Sequence, residues 1–219
     1  MRSLSIVGAC LLLAFSAALV LQTERGAMQA AGRAFAGPVP LGIRAALPLP
    51  YSPEATALLA GRCTVSLGPG RTELFADAVA AATVRHCAEF ADRALAMFPR
   101  EPRLWLLKAA VAQRRSNGRA MARALILAQA GAPLQSWQSE QRLVLLASAL
   151  RSGPDLPGWD EIARADIEAL LLSQSGAEFL AAHYAAGSEL QPLIALALET
   201  AAPQNQRRMV NLIGTRLNK

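Results

Sequence analysis

From Ser52 onward, proline and glycine interrupt the chain at intervals of about one short helix. The cuts fall at Gly68-Pro69-Gly70, Pro99 and Pro102, Gly118, Gly131 and Pro133, Gly153-Pro154, Pro157-Gly158, Gly187 and Pro203. Proline lacks the amide that a helix interior uses, and glycine loses the most backbone freedom there, so a regular element tends to stop at each cut. The intervening segments are rich in Ala and Leu, which lose little on entering a helix. The β-branched runs and aromatics that suit a pleated sheet are scarce. The pattern predicts an all-α body whose short connections make successive helices antiparallel neighbours.

Local signals place the helices. Ser52, Pro53 and Glu54 read as a cap with proline at the first helical position, opening a short helix that ends near Gly61. Thr72 is expected to cap a long segment. Within it Leu74, Phe75, Ala78, Val79 and Ala82, and later Phe90, Ala94, Leu95 and Phe98, follow helical spacing until Pro99. Further helices are predicted from Arg103 to Ser116, from Arg119 to about Ala130, and from Ser136 to before Gly153. Others are predicted from Trp159 to near Ser175, from Ala177 to Ala186, from Ser188 and from Pro203.

The N-terminus reads as a membrane address. Arg2 precedes an apolar run from Leu4 to Leu21 that contains no charge. As a helix, the stretch through Gln22 would span ~28 Å, against a hydrocarbon thickness of ~30 Å. A cleaved signal peptide fits poorly, because Leu19, Val20 and Leu21 continue the run past Ser16 and Ala18. Val7, Gly8, Ala9 and Cys10 resemble a lipoprotein site but come before most of the apolar segment. The remaining reading is an uncleaved signal anchor over 1–22, single-pass in the inner membrane, with the bulk of the chain on the periplasmic side. Residues 23–52, with Gly37, Pro38, Pro40, Gly42, Pro48 and Pro50, read as a tether that holds the body away from the bilayer. A segment that wraps the domain is the alternative. Residues 53–219 are the helical body.

One stretch of that body carries a repeat signature. Pro99 and Pro133 lie 34 residues apart, as do Ala94 and Ala128. Trp105 comes early in the first helix, Ala109 follows it, Gly118 turns the chain and Ala128 sits late in the second helix. This resembles the tetratricopeptide repeat family over about 99–133. The segment from Phe75 to Pro99 matches partly and lacks the turn glycine; after Pro133 the register is lost, and Trp137 is out of step with Trp105. An irregular helical solenoid and a non-repeat bundle both remain open. The resemblance implies a concave protein-binding surface without chemistry of its own, with Trp105 packed into the hairpin seam; the arginines are expected to face outward, because an unpaired buried guanidinium is costly to desolvate.

Chemistry is thinly represented. The net charge of +6 arises from 22 basic residues, of which two are lysine. Such a balance fits an anionic surface or biased codon usage. Two His and three Cys do not assemble a zinc site of ordinary spacing, and no cofactor is implied. Cys63 and Cys87 are candidates for a disulfide in an oxidising compartment, with two buried thiols as the alternative. His86 and Cys87 are adjacent and would point about 100° apart on a helix, so they do not form a nucleophile–base pair. Asp160, Glu161, Asp166 and Glu168 read as the solvated face of one helix, paired with Arg164.

Arg93, Arg100, Arg103, Lys108, Arg114, Arg115, Arg119 and Arg123 meet only Glu101 in the same stretch, whereas Glu140 to Glu199 holds nine acids and three arginines. The residues from Arg100 to Arg123 form a candidate patch for an acidic partner, an anionic lipid or a charged polymer. Export disfavours nucleic acid. The expected function is a non-catalytic adaptor that binds another envelope protein of an assembly or secretion complex. The alternatives are an enzyme acting on envelope polymers and a structural subunit assembling through its transmembrane helix.

Overall fold

The structure is a computed structural model that describes residues 2–35, 47, 49–68, 77–152 and 156–217, with the side chains of 2–9, 27 and 30–35 outside the description. The described residues form ten α-helices and no strand. They are α1 (Arg2–Phe35), α2 (Pro53–Ser66), α3 (Asp77–Met97), α4 (Pro102–Arg114) and α5 (Gly118–Gly131). There follow α6 (Ser136–Ser152), α7 (Trp159–Leu170), α8 (Gln174–Ala185), α9 (Gln191–Thr200) and α10 (Pro203–Leu217). The fold is therefore all-α.

Side-chain capping marks several helix starts, whereas α7 behind Gly158 and α9 behind Leu190 have no side-chain cap. Ser52 Oγ accepts from the Ala55 amide at 3.1 Å, and Asn117 Oδ1 from that of Ala120 at 3.0 Å. Several ends differ from the sequence reading, with α7 stopping at Leu170 before Ser175 and α9 starting at Gln191 after Ser188. α2 passes through Gly61 to Ser66, because Cys63 and Leu67 beyond the glycine are fully buried and offset its helix cost of about 1 kcal/mol. α8 begins at Gln174, since Ser173 Oγ accepts from the Gly176 amide at 3.0 Å. α1 continues past Gln22 to Phe35, so the first part of the expected tether is helical. Thr72, Leu74, Phe75, Gly37, Pro38, Pro40, Gly42 and Pro48 lie outside the described residues.

The helices stack as hairpins in chain order. α2 packs on α3, α4 on α5, α6 on α7 and α8 on α9. Along the stack α2 touches α4, α4 touches α6, α6 touches α8 and α8 touches α10, while α5 touches α7 and α7 touches α9. This two-row arrangement is compatible with a helical repeat. The core runs through it from Leu59 and Phe90 by way of Leu107, Leu125, Leu146 and Ile167 to Leu180, Ile194 and Met209. Burying each such side chain stabilises by about 1.5–3 kcal/mol. Ala109, Ala128, Ala163 and Ala181 are fully buried and let the helix axes approach.

Between α6 and α7 the core holds charge. Arg142 and Asp166 are both fully buried side chains, with Arg142 Nη2 2.5 Å from Asp166 Oδ1 and Nε 2.8 Å from Oδ2. Arg142 also donates to Ser139 Oγ at 3.0 Å, and Gln129 donates to Asp166 at 3.3 Å. The expectation that Asp166 belongs to a solvated face is thus corrected. Asp160, Glu161, Arg164 and Glu168 are exposed, but Asp166 falls on the opposite side of α7 with Ile162, Ala163 and Ile167.

The α7–α8 corner depends on Gly176. A Cβ there would lie 2.4 Å from the Leu170 carbonyl oxygen and 2.8 Å from Ser173 Oγ. The carbonyl is backbone and cannot swing aside. Gly176→Ala is expected to destabilise by about 1–3 kcal/mol through overpacking. Urea titration followed by circular dichroism measures it; an unchanged midpoint would show that the corner relaxes freely.

The chain returns to the body before α2. Leu47 is 2% exposed, and its carbonyl accepts from Arg93 Nη2 at 2.5 Å. Glu24 Oε1 accepts from the Ser52 amide at 2.6 Å, joining α1 directly to the start of α2. Among the described residues no helix is long and apolar enough to cross a membrane, and the run from Leu4 begins in residues whose side chains lie outside the description.

Candidate functional site: a basic groove on the α4–α5 hairpin

Helical spacing puts Trp105, Lys108, Ala112 and Arg115 along one stripe of α4, and α5 sets Ala120, Arg123 and Ala124 opposite. Between them lies a groove of about 220 Å³. Its floor is apolar and its rim carries Lys108, Arg115 and Arg123. Arg115, Arg119 and Arg123 are exposed. Lys108 Nζ contacts Asp92 Oδ1 on α3 at 2.5 Å, a partly exposed pair that holds the lysine beside the groove without closing it.

The structure gives the basic residues of this stretch different surroundings. Arg100 is exposed at the opposite end of α4 from Arg115. Arg103 lies over the Trp137 ring, 4.6 Å from its centroid, a stacking contact between α4 and α6. Arg114 departs from the expectation of an outward-facing arginine. Its Nε donates to the Leu67 carbonyl at 2.7 Å and its Nη2 to that of Gly68 at 2.6 Å. These carbonyls end α2, where cations and donors are favoured, so Arg114 ties two hairpins together. Arg93 serves the Leu47 carbonyl in the same structural way.

Trp105 also departs from its expected place. It is partly buried, not sealed in the seam, and its indole N–H donates to the Pro99 carbonyl at 2.9 Å. Leu104, Leu107 and Ala109 of α4, with Met121, Leu125 and Ala128 of α5, are the fully buried seam residues. The indole instead forms one wall of the groove, leaving an aromatic face next to cations.

Cys63 and Cys87 join α2 to α3 through a disulfide, with Cα atoms 5.8 Å apart. His86 pairs with Glu89 at 3.5 Å within its own helix. His183 is half-buried on Phe179, with ring centroids 4.6 Å apart, and burial lowers its pKa, outweighing the pull of Glu189. The hydrogen bond from Arg151 holds the Glu189 carboxyl down at about 2. The Arg151 link between α6 and the α8–α9 turn therefore persists above the ordinary carboxylate range and is lost as pH falls through about 2. Among the described residues no three His, Cys, Asp or Glu side chains are grouped to hold a metal ion.

A second groove, of about 720 Å³, runs between α5 and α7 and is lined by Ile126, Leu134 and Leu172 with Glu168 on its edge. Sequence reasoning passed over it. The only signal was apolar residues outside the inner helix faces, Ile126 on α5 and Leu134 and Leu172 in the turns after α5 and α7. No protein-family model, curated protein or solved structure matches this chain.

Proposed function

We propose that the chain is a membrane-tethered, extracytoplasmic adaptor that binds another cell-envelope protein of an assembly or secretion complex, without catalytic chemistry. The observation that carries this reading is the α4–α5 groove. Exposed Arg115 and Arg123 and the flanking Lys108 surround an apolar floor walled by Trp105. Aromatic faces and arginines dominate binding energy at protein interfaces. A concave apolar strip with a cationic rim suits a partner segment that is acidic and partly apolar. Buried Ala109 and Ala128 at the crossing of α4 and α5 support the tetratricopeptide-like reading of this hairpin. The membrane part rests on the uncharged run from Leu4 to Leu21, together with the exposure of Leu11, Leu12, Leu13 and Phe15 on α1. Such a cluster of exposed leucine is costly in water and favourable in lipid.

Reversing Arg115, Arg119 and Arg123 to Glu should leave the helicity intact, because all three are exposed and none supports a neighbouring hairpin. Losing and opposing three charges at ~0.5–1 kcal/mol each should weaken partner binding at least tenfold, with the deficit shrinking at high salt. Co-purification from detergent-solubilised membranes, beside circular dichroism, is the measurement. Undiminished co-purification with a folded variant would remove the groove from the binding surface.

A further inference from the structure

The tether between membrane and body is shorter in effect than its sequence suggests. α1 is continuous through the end of the apolar run at Leu21, and Glu24 stands one turn further on. Three residues of helix rise ~4.5 Å. At that height the Glu24 carboxylate receives the amide of Ser52, the cap of α2. Met28, four residues on and therefore on the same face, is partly buried as well. The connecting chain is already back on the body at Leu47, where Arg93 holds its carbonyl. Pro50 is buried too, and its carbonyl accepts from Thr56. The start of α2 is thus fixed within about one helical turn of the last apolar residue.

The residue at that point is Tyr51, which is 62% exposed. A tyrosine that is apolar in the ring and polar at the tip suits the boundary between lipid and water. The opposite edge of the body is identifiable. Arg114, at the last turn of α4, reaches the carbonyls that end α2, so α2 and α4 run parallel and their starts share one edge. The turn into α5 then lies the length of α4 away, ~20 Å at its rise per residue.

Resting on the membrane-anchor reading above, we propose that the α2 start of the stack is docked against the lipid head groups, with Tyr51 at the water–lipid boundary. The α4–α5 turn and the basic groove's outer end project away from the bilayer. The body then stands directly at the membrane surface, and the adaptor presents its groove at a set height and orientation.

The test uses nitroxide labels on the full chain in nanodiscs of phosphatidylethanolamine and phosphatidylglycerol, in a Cys10→Ser background. That background should itself take up no label, because the other two cysteines are bonded to each other. Single labels are placed through Phe15→Cys, Tyr51→Cys and Ala120→Cys, all at exposed positions. Their accessibility to oxygen and to a water-soluble nickel chelate is then measured. The proposal expects Phe15 in hydrocarbon, Ala120 in bulk water and Tyr51 shielded from nickel at least threefold relative to Ala120. If Phe15 is in hydrocarbon but Tyr51 is as open to nickel as Ala120, docking is overturned and the anchor stands. If Phe15 is open to nickel, the anchor reading falls and docking falls with it.

Discussion

Replacing Asp166 with Ala should cost the stack about 3–5 kcal/mol. The substitution leaves the Arg142 guanidinium charged and fully buried, with Asp166 gone from both Nε and Nη2. Nη1 of Arg142 finds no protein acceptor among the described residues, so Asp166 provides most of its compensation. Ser139 and the Ala132 carbonyl are neutral and cannot replace a carboxylate. Urea denaturation followed at 222 nm reads the loss. Arg142→Met combined with Asp166→Leu should recover most of it, since two apolar side chains of similar volume avoid the desolvation cost altogether. A loss below about 1 kcal/mol for Asp166→Ala would mean that water reaches the guanidinium and that the pair is not a core element.

The second large effect belongs to the α2–α3 hairpin. Removing the bridge through Cys63→Ala and Cys87→Ala should cost about 3 kcal/mol in the chain-entropy account, given its sequence separation of 24. Wild type in reductant should fall by a similar amount, whereas the double variant should not respond to reductant at all. Equal stability of wild type with and without reductant would show that the two sulfurs are not bonded in the purified protein. Because both residues are fully buried, part of the variant's loss is a cavity effect, and the reductant comparison isolates the bond itself.

The helices were legible because proline, glycine and capping residues punctuate them. Ser52 with Pro53, Asn117 with Gly118, and Pro203 each stand at or beside a helix start. Legibility failed where tertiary contact decides. Asp166 sits among Asp160, Glu161 and Glu168, and periodicity alone did not reveal that a buried arginine on another helix would claim it. Arg114 and Arg115 are neighbours of the same type, yet one serves the carbonyls ending α2 while the other faces the groove. That division depends on where α2 ends, which in turn depended on Cys63 and Leu67 outweighing Gly61. Trp105 was read as a seam residue because, in the repeat it resembles, a large apolar residue and small ones pack two helices together. Its indole N–H needs an acceptor, and the Pro99 carbonyl at the rim supplies one.

The two ends of the stack are unequal. At one, α2 and α3 are cross-linked, and Arg114 fastens the end of α2 to α4. At the other, α10 lies on α8 and α9, with Gln206 and Arg208 donating to the Leu198 and Leu171 carbonyls, but Val210 and Leu217 are exposed and Met209 is its one fully buried residue. Opening is easiest where an element buries few side chains and no covalent bond ties it to its neighbours. With no cross-link and a single fully buried residue, α10 is expected to open at a lower cost than the cross-linked α2–α3 hairpin, so that amide exchange should be faster in α10 than in α2 and α3.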